Sequence, residues 1–316
     1  MHIEAHQLTK TYGKRTLVNR VTINITPGKV LGLLGPNGAG KSTTIKMLTG
    51  QIRPSSGSIS IDNKEYSHFP ESYRSNLGIV PQEIIIWEDL TLEENLRFSA
   101  TLYKLTATQA QQRITQLIED LKLQPERKTR AKNLSGGYKR RLNLAISIIH
   151  DPKVIVLDEP TPGIDAQSRN LLSEYIAHLV ATGRYSVVLT DHYLDEAEKL
   201  SDYVVIIDEG SVVTEGTVPQ LKQKHGNGNL LQIDLEPGQL ESDKEQEKIL
   251  KSFKQHFPDI SFSKSSLVTI VPDTEGSLSQ ALAIVREQHV EVLNVSVKEP
   301  TLEDIFLLLT GKEVRE

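Results

Sequence analysis

The sequence predicts an α/β fold followed by a smaller α+β unit, on the basis of three patterns. Apolar segments with strand character alternate with helical patterns through most of the first 225 residues. One long segment within this part has helical periodicity only. The alternation begins again after the Gly- and Asn-rich stretch at 225–229, which is typical of a linker. We therefore expect two domains, residues 1–225 and residues 226–316.

The predicted core strands are short apolar runs bounded by turn residues or helical patterns. They are His2 to Leu8, Val21 to Ile25, Val30 to Leu34, Gly78 to Val80, Val154 to Leu157, Ser186 to Leu189 and Tyr203 to Ile207. The run Val21 to Ile25 alternates strictly, whereas the later runs are continuously apolar, as in strands covered on both faces. We therefore predict a mixed sheet that is at least partly parallel.

Residues 88 to about 150 contain no convincing strand pattern and instead have apolar residues at helical spacing. The repeated positions are Leu92, Leu96, Ser99 and Tyr103, then Ile114, Leu117, Ile118 and Leu121, then Leu142, Ala145, Ile146 and Ile149. Thr106 or Thr108 is a suitable N-cap for the second helix. We interpret this segment as a helical subdomain inserted into the α/β core.

The region after residue 226 again alternates strand and helix patterns. Its predicted elements are strands at Leu230 to Leu235, Leu267 to Val271 and Val292 to Val297, and helices around Ile249 to Phe257 and Leu278 to Val285. A last amphipathic helix has Leu302, Ile305, Phe306 and Leu309 on one face. We expect this face to pack in the core of its own small domain.

The composition is that of a soluble protein and excludes several classes of function. The 316 residues include 36 Lys plus Arg, 41 Asp plus Glu and no cysteine. The lack of cysteine excludes disulfides, thiolate zinc sites and cysteine nucleophiles. A net charge of −5 argues against nucleic acid as the partner. No secretory signal or apolar run of about 20 residues is visible, so we expect the chain not to cross a membrane.

The strongest motif is a glycine-rich loop that directly follows the strand Val30 to Leu34 and fits the pattern G-x-x-x-x-G-K-[ST]. Consecutive backbone N–H groups and a helix N-terminus in such a loop surround phosphates. We expect Lys41 to reach the β- and γ-phosphates and the Ser42 hydroxyl to ligate Mg²⁺. The predicted nucleotide-binding residues are Gly35, Pro36, Asn37, Gly38, Ala39, Gly40, Lys41, Ser42 and Thr43.

Two carboxylates, Asp158 and Glu159, end the apolar strand that begins at Val154. By themselves, two acids after a strand are more often a solvated turn. Ligands bind at the carboxyl ends of parallel strands, however, so these acids are expected beside the phosphate loop. Asp158 would then act on Mg²⁺ through water, and Glu159 would orient and polarise an attacking water.

The run Leu134-Ser-Gly-Gly137 begins a helix whose first turn is chemically unusual. Ser135 is a natural N-cap, but Gly136 and Gly137 are poor helix formers. The basic residues that follow oppose the helix dipole. Both features are explained if an anion binds at this helix end. We therefore expect a second phosphate-facing surface at Ser135, Gly136 and Gly137.

The phosphate loop, the Leu-Ser-Gly-Gly run, the Asp-Glu-Pro strand end and Thr190-Asp-His192, in this order, resemble the ATP-binding cassette (ABC) ATPases. The resemblance covers residues 2 to about 220. It implies a P-loop NTPase cassette with a mixed sheet and an inserted helical subdomain. It also implies a head-to-tail dimer in which each Mg-ATP lies between the phosphate loop of one subunit and the Ser135 to Gly137 loop of the other.

The same resemblance implies roles for three isolated residues. Tyr12 would stack on adenine, since a flat aromatic face suits a flat base. Gln82 would touch Mg²⁺ or its water and link the core to the helical subdomain. His192 would contact the γ-phosphate and position the water beside Glu159.

The sequence departs from the family pattern at two positions. Tyr138 stands where the signature usually has glutamine, and Ala166 stands where proline usually follows Asp165. We expect hydrolysis to be intact, with altered coupling between the subunits of the dimer.

The ending Pro300 to Phe306, followed by Leu-Leu-Leu-Thr-Gly311, resembles the tail of ATPases that serve type-2 ABC exporters. It implies an ATP-hydrolysing subunit that powers a separate permease and is cytoplasmic, peripheral on the inner face of the cell membrane. A second copy is the expected ATPase partner ahead of a different chain. The permease would contact a groove between the helical subdomain and the Gln82 loop, with Glu83 and Trp87.

Two other functions compete with this interpretation. A cassette ATPase acting on the ribosome or on nucleic acid is disfavoured by the single phosphate loop, the lack of sustained heptads and the mild acidity. A GTP switch or small-molecule kinase shares only the phosphate loop, and Asn63 to Tyr66 lacks the aspartate needed for guanine selection. We expect no nucleic-acid partner, and the transported substrate remains open.

Overall fold

The computed structural model describes residues 1–66, 69–160, 163–190, 194–225, 228–236, 243–257, 260–263, 266–272, 274–288 and 290–310. Within these ranges the strands and helices, in chain order, are β1 Ile3–Tyr12, β2 Arg15–Ile25, β3 Val30–Leu34, α1 Lys41–Leu48, β4 Ser56–Ile61, β5 Lys64–Glu65, α2 Glu71–Arg74, β6 Leu77–Val80, α3 Leu92–Leu102, α4 Ala107–Asp120, α5 Gly136–Ile148, β7 Val154–Asp158, α6 Ala166–Ala181, β8 Ser186–Thr190, α7 Leu194–Leu200, β9 Tyr203–Asp208, β10 Ser211–Gly216, α8 Val218–His225, β11 Asn229–Leu235, α9 Asp243–Lys254, β12 Ser261–Ser263, β13 Ser266–Val271, α10 Thr274–Glu287, β14 Val292–Lys298 and α11 Leu302–Thr310. Among these helices, none has both the length and the apolar character needed to cross a bilayer.

The central sheet has the strand order β10-β9-β3-β8-β7-β6. Strands β9, β3, β8, β7 and β6 are parallel, and β10 pairs with β9 in the antiparallel direction. The predicted mixed, partly parallel sheet is confirmed. Because the carboxyl ends of parallel strands meet at one edge, the segments that follow β3, β6, β7 and β8 emerge together. This edge positions the candidate site.

A second, antiparallel sheet has the order β2-β1-β4-β5 and packs with α1 on the central sheet. Its strand β2 is longer than the predicted Val21 to Ile25. Strand β4 was not predicted from the sequence, because its Ser- and Gly-rich segment has only Ile59 and Ile61 as apolar residues. Those two isoleucines are buried and give the strand its inward face.

The predicted helices of residues 88–150 are confirmed as α3, α4 and α5, which pack around one apolar core. Capping boxes begin two of them, Thr91 with Glu94 at α3 and Thr106 with Gln109 at α4. Thr106 is therefore the cap, rather than Thr108. The remainder of this region includes short 3₁₀ turns at Gln124–Glu126 and Ala131–Asn133.

The C-terminal strands form an antiparallel sheet of order β12-β13-β11-β14, packed with α9 and α10 around a separate apolar cluster. Strand β12 was not predicted, because Ser261–Ser263 has a single apolar residue and too few positions to show alternation. The expected arrangement of strands and helices is otherwise present.

The last helix, α11, corrects one expectation. Its residues Leu302 and Phe306 pack against the first domain, in a buried cluster that includes Leu34, Leu194 and Leu221. The prediction that this apolar face packs in the core of its own small domain was wrong. The face of the C-terminal sheet that is buried is already covered by α9 and α10, whereas α7 and α8 present apolar side chains to α11.

Polar contacts fix the same helix in place. The Leu302 N–H donates to Glu198 Oε2 at 3.0 Å, and Lys222 forms an ion pair with the same glutamate. The Thr301 N–H donates to Asp304 Oδ2 at 2.9 Å, which caps α11. Helix α11 is thus attached to α7 and α8, the helices that follow β8 and β10.

Candidate active site

The glycine-rich loop connects the buried strand β3 to α1, as the motif predicts. Gly40 has a φ of +103°, and a Cβ there would lie 2.7 Å from the Leu17 carbonyl oxygen. A Cβ at Gly35 would lie 2.2 Å from the Ile207 carbonyl oxygen. Within the described residues no side chain caps α1, so the N-terminus of this helix has no side-chain partner there. Glycine is therefore required at both positions by close backbone packing, and the uncapped helix N-terminus beside the loop is suited to an anion.

Lys41 lies inside the loop, with 5% of its surface exposed. Its Nζ donates to the carbonyl oxygens of Gly35 at 2.7 Å and Pro36 at 3.1 Å. Burial lowers the pKa of Lys41, and the nearby Glu159 and Asp158 oppose that shift. An ammonium group has three donors, so the loop carbonyls hold this cation in place and leave capacity for a phosphate.

Asp158 and Glu159 are fixed by Thr190 of the neighbouring strand β8. The Thr190 Oγ1 donates to Asp158 Oδ1 at 2.7 Å. The Glu159 N–H donates to the Thr190 carbonyl oxygen at 3.0 Å and lies 3.1 Å from Thr190 Oγ1. Glu159 has a φ of +51°, a left-handed conformation that is uncommon for a glutamate and is kept by these bonds.

Glu159 is only 5% exposed, and its carboxylate accepts a hydrogen bond from Gln82. The Gln82 Nε2 donates to Glu159 Oε2 at 2.6 Å. Gln82 follows β6, and Glu159 follows β7, the adjacent strand. Gln82 and Glu159, which were each predicted as site residues, are therefore in contact at the carboxyl edge of the sheet.

The side-chain oxygen atoms near the carboxyl edge of the central sheet are of the kind that binds Mg²⁺. The Gln82 amide turns its nitrogen toward Glu159, so its oxygen would be the atom offered to a cation. Ser42 supplies a hydroxyl from α1, and Asp158 supplies a carboxylate that Thr190 already orients. Hard oxygen ligands of this kind, few in number and completed by water and phosphate, are what Mg²⁺ uses in nucleotide sites.

The Leu-Ser-Gly-Gly run begins α5 with Ser135 as its N-cap, since the Tyr138 N–H donates to the Ser135 hydroxyl. The two glycines differ in their surroundings. A Cβ at Gly137 would lie 2.0 Å from Ser168 Oγ, so this glycine allows α5 to pack against α6. Among the described residues, a Cβ at Gly136 would meet only Gly163 O, at 3.7 Å, and Gly136 is exposed. Packing within the single chain therefore explains Gly137 and leaves Gly136 unexplained.

Tyr138 and Ala166, the two departures from the family pattern, both fit the local helical structure. The Tyr138 ring lies against the Arg141 guanidinium, 4.1 Å from the ring centroid, so it covers its own helix. Ala166 occupies the first position of α6, directly after the N-cap Asp165. Proline is favoured at that position because its φ is already helical, and alanine accepts the same conformation.

The remaining predicted residues are less informative. Tyr12 ends β1 with 53% of its surface exposed, and Lys10 Nζ lies 5.0 Å from its ring centroid. His192 falls outside the described residues. Thr190 was identified only as part of the strand end before His192, and the sequence indicated no structuring role for it or for Arg140. Only the pairing of β7 with β8 and the packing of α5 on β6 bring them to the site.

A groove of about 520 Å³ lies between the helical subdomain and the central sheet. It is lined by residues that include Arg74, Pro81, Ile85, Trp87, Tyr103 and Ile146. Ile85 is 60% exposed, and Trp87 packs edge-on against Phe98 with their ring centroids 4.4 Å apart. Large apolar side chains are thus exposed next to the Gln82 loop.

Two protein-family models match this chain. The ABC transporter family matches residues 18–162, and the C-terminal domain family of DrrA1-3-like ATP-binding proteins matches residues 216–310. The linearmycin resistance ATP-binding protein LnrL of Bacillus subtilis (strain 168) is 35% identical, across 99% of this chain and 100% of the relative. The daunorubicin/doxorubicin resistance ATP-binding protein DrrA of Streptomyces peucetius is 36% identical, across 98% of this chain and 92% of the relative.

Solved structures resemble about 70% of this chain. The ATP binding subunit of an ABC transporter matches with a TM-score of 0.65 and 30% identity, across 72% of this chain and 94% of that one. A dimeric ATP-binding cassette in a post-hydrolysis state, bound to ADP and Pi, has the same fold at 22% identity and a TM-score of 0.62, across 68% of this chain and 98% of that one.

Proposed function

We propose that this chain, which belongs to the ATP-binding subunits of ABC transporters, hydrolyses Mg-ATP between two copies of itself and powers a separate exporting permease. ATPases of this family couple hydrolysis to transport. The observation that carries the proposal is the arrangement of Glu159. This buried carboxylate is held by Gln82 at the same sheet edge as the phosphate loop.

The residues at this edge of the sheet would have separate roles in hydrolysis. The loop N–H groups and Lys41 bind the phosphates, and Glu159 accepts a proton from the water that attacks the γ-phosphorus. The bond to the β–γ bridging oxygen then breaks, and ADP and phosphate are released. Bound Mg²⁺, held by Ser42 and Gln82 and through water by Asp158, would neutralise charge on the phosphate oxygens.

A second copy completes the site in this proposal. Ser135 and Gly136 are exposed at the start of α5, and the helix N-terminus there is suited to an anion. If Ser135 and Gly136 contact the ATP of the partner copy, formation of the closed dimer would depend on nucleotide. The contacts to the γ-phosphate exist only when the two copies meet. Release of phosphate would remove those contacts and let the copies part.

Gly136→Ala tests this role of the exposed glycine. We expect the variant to fold normally, because a Cβ clashes with none of the described residues and alanine favours a helix by about 1 kcal/mol. The ATPase rate should fall at least about tenfold, since the added methyl separates the two copies at the γ-phosphate. Thermal unfolding and phosphate release measure the two effects.

Gly137→Ala is the matched comparison, and we expect it to destabilise the isolated chain through its clash with Ser168. Full ATPase activity in Gly136→Ala would remove the Ser135 to Gly137 surface from the proposed ATP contact.

We propose that the permease contacts this chain at the groove beside the Gln82 loop. Exposed apolar patches of this kind mark protein interaction sites, and this one includes Ile85 and Trp87. Because Gln82 also holds Glu159, a partner in the groove would lie next to the catalytic carboxylate. The chain would then be peripheral on the inner face of the membrane, and its match to the ABC transporter family supports this location.

Cell fractionation separates this proposal from action on the ribosome. We expect the chain at native expression level to remain with membranes washed in high salt, held by its permease. Co-sedimentation with ribosomes and absence from washed membranes would favour the alternative function instead.

A further inference from the structure

Arg140 is a buried cation that the roles described above do not use. It lies on α5, five residues after the N-cap Ser135, and only 4% of its surface is exposed. Its Nη1 donates to the Gln82 carbonyl oxygen at 2.8 Å and to the Pro81 carbonyl oxygen at 3.3 Å. Burial lowers the pKa of Arg140, and the charge of Glu159 opposes that shift. A guanidinium is costly to bury, so these bonds hold the group in a defined place.

Helix α5 contacts the strand β6 and the following loop through one face. Residues 140, 143 and 147 are spaced three and four apart and so share that face. The Ser147 Oγ donates to the Ile79 carbonyl oxygen at 2.8 Å, and Asn143 Oδ1 accepts from the Ile85 N–H at 3.1 Å. Arg140 contacts the loop between Ile79 and Ile85 and holds Gln82, the residue that donates to Glu159.

A continuous set of hydrogen bonds therefore connects α5 to the catalytic carboxylate. Arg140 holds the main chain of Gln82, and the side chain of the same Gln82 donates to Glu159 at 2.6 Å. The other buried arginine of the helical subdomain, Arg141, is directed elsewhere. The Arg141 Nη1 donates to the Leu121 carbonyl oxygen at 2.8 Å.

We propose that Arg140 is a positioning residue that sets Gln82, and through it Glu159, according to the position of α5. This inference rests on the proposed function. When the Ser135 end of α5 meets the ATP of the partner copy, the movement of the helix is transmitted through Arg140 to the Gln82 carbonyl. Each copy thereby adjusts the carboxylate of its own site to the nucleotide bound at the partner's site.

Arg140→Met tests this role, because it keeps a long apolar side chain and removes the donors. We expect kcat for ATP to fall at least about tenfold with KM nearly unchanged, since the phosphate loop is untouched. Arg140→Lys keeps the charge and should recover turnover to within about threefold of the native chain. Arg113→Met is the matched control, because Arg113 donates to the Ile148 carbonyl oxygen of the same helix and lies away from Gln82. It should keep native kcat.

A double-variant cycle decides between positioning and general support of the fold. If Arg140 acts through Gln82, its substitution should have little further effect on kcat in a Gln82→Ala background. Multiplied losses in the double variant, or a raised KM at native kcat, would overturn the proposal. If Arg140→Met does not fold, Arg140→Lys takes its place in the cycle. Its smaller loss of kcat should then be absent in the Gln82→Ala background. A native chain without ATP turnover would instead refute the proposed function.

Discussion

Replacement of Glu159 with glutamine should lower the ATP turnover number by about 10²- to 10⁴-fold, the usual contribution of a general base. ATP affinity should stay close to that of the native chain. The bond from the Glu159 N–H to Thr190 involves main-chain atoms and survives the change, and an amide oxygen can still accept from Gln82. Phosphate release gives the turnover number, and calorimetry with a non-hydrolysable ATP analogue gives the affinity.

Glu209→Gln provides a control for the same chemical change elsewhere. Glu209 is exposed and, like Glu159, has a left-handed backbone, with a φ of +47°. We expect native turnover in this variant. Native turnover in Glu159→Gln as well would remove Glu159 from the role of base.

Replacement of Lys41 with alanine should weaken ATP binding by about 10- to 150-fold, which corresponds to about 1.5–3 kcal/mol for hydrogen bonds to a charged group. The change removes the buried cation inside the loop and its bonds to the Gly35 and Pro36 carbonyl oxygens. Lys46→Ala is the matched control, because Lys46 is exposed on the same helix. Calorimetry should find native affinity in that control.

Lys41 is packed inside the protein, so its loss could also disturb the loop. Circular dichroism and thermal unfolding establish that the variant is folded before affinity is compared. A folded Lys41→Ala variant with native affinity for ATP would contradict the assignment of this loop to the phosphates.

The sequence was sufficient for those parts of the site that depend on local structure. A glycine-rich loop between a buried strand and a helix has one common use, so Lys41 and its neighbours could be placed from their order alone. The helical subdomain was predictable for a similar reason, since its apolar residues recur over several turns. The strand-end acids needed only the rule that parallel strands end at one edge.

The parts that could not be predicted depend on contacts between distant segments. Thr190 orients both acids because β8 lies beside β7, and Arg140 reaches Gln82 because α5 packs on β6. Neither residue type in its local sequence indicates such a role. Short strands such as β4 and β12 have too few apolar positions for a period to be measured.

The last helix shows a different limit. The spacing of its apolar residues indicated correctly that one face of α11 is buried. It could not indicate which surface covers that face, and Leu302 and Phe306 pack on the first domain rather than on their own. Amphipathic periodicity identifies the buried face of a helix, whereas the partner is decided by which neighbouring surface is still uncovered.

The central claim is that two copies of this chain close on ATP, and light scattering after size exclusion tests it most directly. The Glu159→Gln variant should have the mass of a single chain without nucleotide and twice that mass with Mg-ATP. The same variant carrying Gly136→Ala should bind ATP and remain a single chain. A Glu159→Gln chain that binds Mg-ATP and keeps the mass of one copy would contradict the claim.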